Sequence, residues 1–391
     1  MTAGIGHDRR LGEIISTSQG VFVAPFDGGW VAYDVIAEMT HVLGPLGVIA
    51  TIDEPTLVSE LVEELVANSP EMDRADAIET ITTAVDELVN LQLLNRDEPF
   101  EALAPWAGSP RPADETLSWA RGRTHQVADV AITFRSNEPS LLPKIDACFQ
   151  PNPAVLVSAE GDRGLRREVF IDAEVMSNGG IRLDARDRWD FTNEQGFFQQ
   201  ILDFTNEYAA RANSYATLHA GAVRTPDGRL LVLPGQIDSG KSTLTAALVA
   251  AGCDYVSDET VGLLADSLAV TSYLKPIALS DESREVLGLN GQSNGTTLVS
   301  ELRDDVVLLE GAIGTPAEIV LPRFAPGAEL RIERLSPLAA LKELLANTHN
   351  LGRCGSVGLE AVAKAVETIP VFKLVHADAV STADVLMVGG T

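Results

Sequence analysis

The chain has 391 residues, 45% hydrophobic and 22% charged, a composition that excludes general disorder and, at ~100–200 residues per domain, calls for two or three domains. Its 29 Lys and Arg against 56 Asp and Glu give a formal net charge of −27, a surface that repels phosphate backbones and anionic membranes and so disfavours nucleic-acid and membrane binding. No run approaches ~18 apolar residues, the first ten residues hold no apolar signal core, and Cys148, Cys253 and Cys354 are too far apart for metal-ligand spacing, so a reduced cytoplasmic protein is expected.

Residues 1–100 read as one small domain. Val21–Phe26 and Trp30–Tyr33 flank the turn Asp27-Gly28-Gly29, a hairpin signal. Three amphipathic helices are predicted after it. Residues 34–46 carry Val35, Ile36, Met39, Val42 and Leu43 at helical spacing; residues 55–67 carry Leu57, Leu61, Leu65 and Val66; residues 76–94 carry Ile78, Ile81, Val85, Leu88 and Leu91. Together they suggest a winged-helix-like α+β module. This segment holds 18 Asp and Glu against 4 Arg, so it is either a solvated acidic face or a surface for basic partners. An acidic module of this kind is a poor reader of DNA, and peptide or protein binding fits it better.

The Pro-rich stretch 98–112 is the expected linker, with 101–112 joining the first domain to a second at 113–391. Short strand-like runs at 127–134, 154–157 and 168–171, and a helix around 193–211, carry no chemical constellation.

Residues 218–262 carry the chemistry. Gly235-Gln-Ile-Asp-Ser-Gly240-Lys241-Ser242 satisfies G-x-x-x-x-G-K-[ST] without a mismatch, after the apolar run Leu230–Leu233 and before an Ala/Leu-rich helix. Such a loop wraps phosphates in backbone N–H groups at a helix N-terminus. Gly235, Asp238, Ser239, Gly240, Lys241, Ser242 and Thr243 are the predicted nucleotide-binding set. Lys241 reaches the β- and γ-phosphates, and the Ser242 hydroxyl ligates Mg²⁺.

A second strand-like run, 218–225, is joined to the loop strand by Pro226-Asp227-Gly228-Arg229, a hairpin turn signal. Antiparallel register then places His219 opposite Gly235 or Gln236. After the helix, residues 254–257 return as a strand parallel to Leu230–Leu233, bringing Asp258 and Glu259 to the phosphate edge. The alternatives are a satisfied core histidine and solvated turn acids; the register favours function, with the acids supplying a metal ligand and a proton acceptor.

His219-x-x-x-Val223, the hairpin, Gly235–Ser242 and Val256-Ser-Asp258-Glu259-x-Val261 together resemble the core of HPr kinase/phosphorylase-related kinases, relatives of phosphoenolpyruvate carboxykinase. The likeness runs over about 115–390 and takes in Tyr273-Leu-Lys275-Pro276-Ile277, Val320-Leu-Pro322-Arg323-Phe-x-Pro326-Gly327 and Val371–Val375. It implies an α/β phosphate-loop kinase core using ATP and Mg²⁺, with Asp258 as base candidate, Glu259 as the metal-side acid and His219 as an active-site partner. Members acting on HPr carry two adjacent aspartates where this chain has Asp258-Glu259, and a later Glu-x-Arg-Gly-x-Gly stretch that it lacks, which weighs against HPr as substrate. Lys275 and Arg323 either neutralise phosphate charge or are simple surface cations, and residues 290–297 read as a substrate loop or an ordinary surface loop.

The hairpin, the helix 34–46, the acidic helix and Asp86-Glu-Leu-Val-Asn-Leu-Gln-Leu-Leu94 resemble pyrroloquinoline-quinone biosynthesis protein D and related precursor-peptide recognition (PqqD-like) domains. That resemblance implies capture of a leader peptide as an added strand. With a front domain of net charge −14, a leader with basic residues is favoured. The combined expectation is a kinase that phosphorylates a Ser or Thr of a ribosomally made precursor peptide. The competing readings are a kinase of a small metabolite and a nucleotide-gated peptide-binding protein without transfer; homo-oligomerisation is left open.

Overall fold

A computed structural model describes residues 10–11, 13–52, 54–96, 118–127, 130–149, 156–158, 167–184, 188–194, 196–198, 200–202, 205–206, 215–289 and 296–389. The expected linker 101–112 and most of the 290–297 loop lie outside them. By contact the chain divides into two compact units, residues 1–105 with 355–364, and residues 106–354 with 365–391. No helix among the described residues is long and apolar enough to cross a membrane.

In the first unit, β1 (Ile14–Thr17) lies between two short strands, pairing antiparallel with both β5 (Thr56–Leu57) and β6 (Leu94–Arg96). β2 (Val21–Phe26) and β3 (Gly29–Asp34) form the expected hairpin, turning through Asp27 (φ 49°) and Gly28 (φ 73°), the two positive values that a two-residue turn demands. The predicted helix over 34–46 is not there. Its place is taken by β4 (Met39–Leu43), which adds to β3 as an antiparallel edge strand, followed by a 3-10 turn at Pro45–Thr51. Asp34 Oδ1 accepts from the N–H groups of Ile36 (2.8 Å) and Ala37 (3.1 Å), and Glu38 takes φ 54°, so the chain reverses before a helical turn can form. The winged-helix-like reading therefore loses one of its three helices.

The other two helices form as α1 (Val58–Asn68) and α2 (Arg74–Asn90), the latter capped by Asp73, whose side chain accepts from the N–H groups of Ala75 and Asp76. Ile15, Val23, Ala32, Val62, Ile81, Val85 and Leu88 close one core.

Among the described residues, the second unit holds two sheets. β7 (Ala120–Val127), β8 (Val130–Ser136), β10 (Arg167–Val175), β11 (Ile181–Asp184) and β12 (Arg188–Phe191) build one, in the order β12-β11-β10-β8-β7, over a core of Phe134, Ile145, Phe149, Ile171 and Phe197. Short β9 (Leu156–Ser158) belongs to the second and larger sheet.

The spine of that larger sheet is β13 (Ala216–Arg224) and β14 (Leu230–Pro234), joined by the predicted hairpin. From β14 runs α3 (Lys241–Ala250), then β15 (Asp254–Ser257), β16 (Thr260–Leu263), β17 (Val270–Thr271), α4 (Asp281–Val286), β18 (Leu308–Glu310), β19 (Ala312–Gly314), β20 (Glu318–Phe324), β21 (Arg331–Arg334), β22 (Val371–His376) and α5 (Ala379–Met387). The main order is β19-β17-β16-β13-β14-β20-β22-β21, with β14, β20 and β22 mutually parallel. β15 has the predicted direction but is not the neighbour of β14: the hairpin already occupies that edge, so β15 pairs antiparallel with β13 instead.

Every residue of β14 is buried, as befits a strand in the middle of a sheet. α3 packs Leu244 and Leu248 into a core shared with Leu231, Leu233, Val320, Leu374 and Leu386. α3 approaches β13 closely, and a Cβ at Gly221 would collide with the Thr245 hydroxyl, which donates to Lys241 O at 2.9 Å. Gly221→Ala should therefore lower the stability of the protein by about 1–3 kcal/mol in denaturant unfolding, and adding Thr245→Ala should recover most of the loss.

Candidate functional site

The loop after β14 is fastened on both sides. Gly235 N–H donates to His219 O of β13 at 3.1 Å, and Ser239 O accepts from Phe324 N–H of β20 at 2.8 Å. Between these points Ser239 N–H closes a turn onto Gln236 O at 3.2 Å, with Asp238 at φ 64°. Gly240 sits at φ 84°, where its missing side chain matters twice: the conformation is left-handed, and a Cβ would lie 2.9 Å from Phe324 Cβ.

Gly240 caps α3 without any side-chain hydrogen bond. The N–H groups of Lys241, Ser242 and Thr243 precede any intrahelical acceptor, so with the positive end of the helix dipole they face outward as an anion cradle. The mouth of this cradle is a cavity of about 600 Å³.

On one flank of the loop stands the acid pair. Asp258 and Glu259 join β15 to β16 opposite the middle of β13, and Ala220 N–H donates to Glu259 O at 3.2 Å. At this bend between the two strands, the neighbouring side chains meet different surroundings. Glu259 lines the cavity, with Oε1 3.1 Å from His219 Nε2 and Oε2 3.6 Å from Lys275 Nζ. Asp258 is fully buried, its carboxylate within reach of the Ser242 hydroxyl, and its carbonyl oxygen accepts from Lys241 Nζ at 3.2 Å.

Charge follows this split. Burial pushes the Asp258 carboxyl above the usual carboxylate range, against the pull of Lys241 and Lys275. Burial also works against ionised Glu259, but the hydrogen bond from His219 and the charges of Lys275 and Lys241 win and hold it at about 2. His349, its ring centroid 4.9 Å from that of His219, is held below the usual imidazole value by burial and by the nearby His219.

These donors fit a hard divalent cation. Mg²⁺ is held by one or two carboxylates together with phosphate and water oxygens, and Ser242 at the helix start, Glu259 at the cavity and the Asp258 carboxylate beside Ser242 supply that chemistry. Among the described residues no group of three His, Cys, Asp or Glu could hold a metal by itself.

Of the residues singled out from the sequence, Asp238, Ser239, Gly240, Lys241, Ser242, Thr243, His219 and Glu259 line the cavity, while Gly235 anchors the loop and Asp258 lies enclosed behind it. Lys275 is no surface cation: it is 2% exposed and reaches Glu259. Arg323 is exposed and does not line the cavity; the strand pleat gives that position to Phe324. Phe324, His376 and Ser283, whose Oγ lies 2.8 Å from Thr243 Oγ1, escaped the sequence reading. Phe324 and His376 end two of the parallel strands, the edge at which open α/β sheets bind ligands, and only the strand order reveals that they meet.

No family model matches the chain, and no curated protein matches it. Among solved structures, the Hpr(Ser) kinase/phosphatase from Coxiella burnetii aligns over 44% of this chain and 89% of its own, at 12% sequence identity and a TM-score of 0.25. A likeness that faint bears no weight, and what the site does has to follow from its own atoms.

A carboxyl whose folded value is raised binds its proton more tightly in the native state, so it costs stability as pH rises above its unfolded value and costs nothing below it. Asp258→Asn should therefore raise the melting temperature at pH 7, and the gain should shrink as pH falls toward 4.

Proposed function

We propose that the protein is a phosphotransferase that moves the γ-phosphate of ATP to a Ser or Thr hydroxyl of a ribosomally made precursor peptide, which the first unit holds by its leader. One observation carries the reading: a phosphate loop with an uncapped helix start and the hydrogen-bonded pair Glu259–His219 line the same cavity.

The triphosphate lies in the cradle formed by the N–H groups of Lys241, Ser242 and Thr243, and the Lys241 ammonium balances charge at its reacting end. The acceptor hydroxyl enters beside Glu259. Its oxygen attacks the γ-phosphorus, the bond to the β-phosphate oxygen breaks and ADP leaves, while the hydroxyl proton passes to the Glu259–His219 pair. Transfer of this kind has a loose transition state, so positioning matters more than the basicity of Glu259. Mg²⁺, when bound, neutralises charge on the β- and γ-phosphates; Ser242 and Asp258 would hold it. The enclosure of Asp258 supports the metal-side role for it, and the cavity position of Glu259 supports the acceptor-side role, the reverse of what the family resemblance implies.

In the first unit, β4 is an edge strand with Met39 and Val42 exposed. A cavity of about 600 Å³ runs between Leu43–Gly47 and α2, where Asp76, Glu79 and Glu87 face it beside Leu88 and Leu91. An open edge beside an acidic, partly apolar wall suits an extended basic peptide added as a strand.

Two measurements test the reading. With γ-labelled ATP and a short peptide encoded beside the gene, Lys241→Ala should abolish labelling; Glu259→Gln should keep ATP binding but lower transfer by roughly 10²-fold. Normal transfer by Glu259→Gln would return the proton-accepting role to Asp258, and normal transfer by Lys241→Ala would end the phosphate-loop assignment. Separately, Glu79→Lys with Glu87→Lys should raise KM for the full-length peptide and leave a leaderless one unchanged. Equal effects on both peptides would favour a small-metabolite kinase.

A further inference from the structure

The acids stand on only one side of the phosphate loop. β13, bearing His219 and facing Asp258–Glu259, pairs with one edge of β14, and β20 and β22 follow on the other. If the reacting phosphate lies by Lys241 and Glu259, the nucleoside must extend away from the acids, toward the flank where β20 and β22 end.

That flank is built differently. Phe324 is 45% exposed although its backbone N–H is tied to Ser239 O at 2.8 Å, and its ring meets the His376 ring edge-on at 5.8 Å between centroids. His376 is 1% exposed and lines the cavity; Asp378 lies close to its ring, and neither Nδ1 nor Nε2 makes a well-formed hydrogen bond. A buried imidazole without a well-formed hydrogen bond, beside an aromatic ring that lines the same cavity, leaves polar capacity that a ligand can complete.

We propose that Phe324 and His376 form the nucleobase wall of the cavity, Phe324 stacking on a purine and His376 hydrogen-bonding to its edge. The inference rests on the nucleotide-binding reading of Gly235–Ser242. Burial holds His376 below the usual imidazole value against the pull of Asp378, which favours the neutral ring, with one nitrogen donating and the other accepting. A purine edge carries donors and acceptors side by side, and a neutral imidazole can match either without confronting the phosphate charge. Stacking accepts any base, so the ring sets affinity and the imidazole sets orientation.

The test uses the full-length protein, titrated calorimetrically with ATP and with inorganic tripolyphosphate, which presents the phosphates without a base. Phe324→Ala and His376→Gln should each weaken ATP binding about tenfold and leave tripolyphosphate binding unchanged. Unchanged ATP affinity in both variants would overturn the proposal. So would equal losses for the two ligands, which would show that these side chains act on the loop and not on a base. Lys241→Ala separates the two readings: it should weaken both ligands, and if it weakens neither, the phosphate-loop reading fails while the selective loss at Phe324 and His376 still decides the base wall.

Discussion

β13 is hydrogen-bonded along both edges, and that double pairing fixes the distance between the phosphate loop and the acids. One edge carries the hairpin to β14, continued by Gly235 N–H onto His219 O; the other carries β15 and β16, with Glu259 O accepting from Ala220 N–H between them. His219 thus has its carbonyl on the loop and its imidazole on Glu259. A slip of one residue in either ladder would turn His219 to the opposite face of the sheet. The tight turn Thr225–Arg229, closed by Thr225 N–H onto Arg229 O at 2.9 Å, guards against such a slip.

Within that frame, desolvation divides two adjacent carboxylates into different chemical species. Asp258 and Glu259 share a peptide bond and the same two lysines, yet one is pushed up and the other down. The difference is the balance: complete burial outweighs the lysines and Ser242 at Asp258, while the hydrogen bond from His219 and the same lysines outweigh a lesser burial at Glu259. Acids whose environments drive them apart are suited to separate roles at one site.

The phosphate loop was legible because its residues are consecutive and each has a local reason to be there. The hairpin register followed from Asp227-Gly228, which fixes the turn and with it the position of His219 opposite Gly235. Residues 34–46 misled because Val35, Ile36, Met39, Val42 and Leu43 satisfy helical spacing while Met39–Leu43 is short enough to be a strand; the Asp34 side chain and the backbone of Glu38 decided it. Lys275 could not be placed because burial of a lone cation depends on a distant acid, here Glu259. Phe324 and His376 were invisible for a related reason: 52 positions apart, they are cross-strand partners in adjacent parallel strands, and periodicity says nothing about which strands will be neighbours.

The fastening of the loop at Gly235 and Ser239 bears on how a nucleotide is admitted. Fixing the backbone of one residue removes about 1–2 kcal/mol of conformational entropy, and here the loss falls on folding, before any ligand arrives. Binding then meets a preorganised cradle and has little ordering left to do. On the nucleotide-binding reading, a loop already fastened holds any polyphosphate alike, and distinguishing a third phosphate falls to Lys241 and the Glu259–His219 pair.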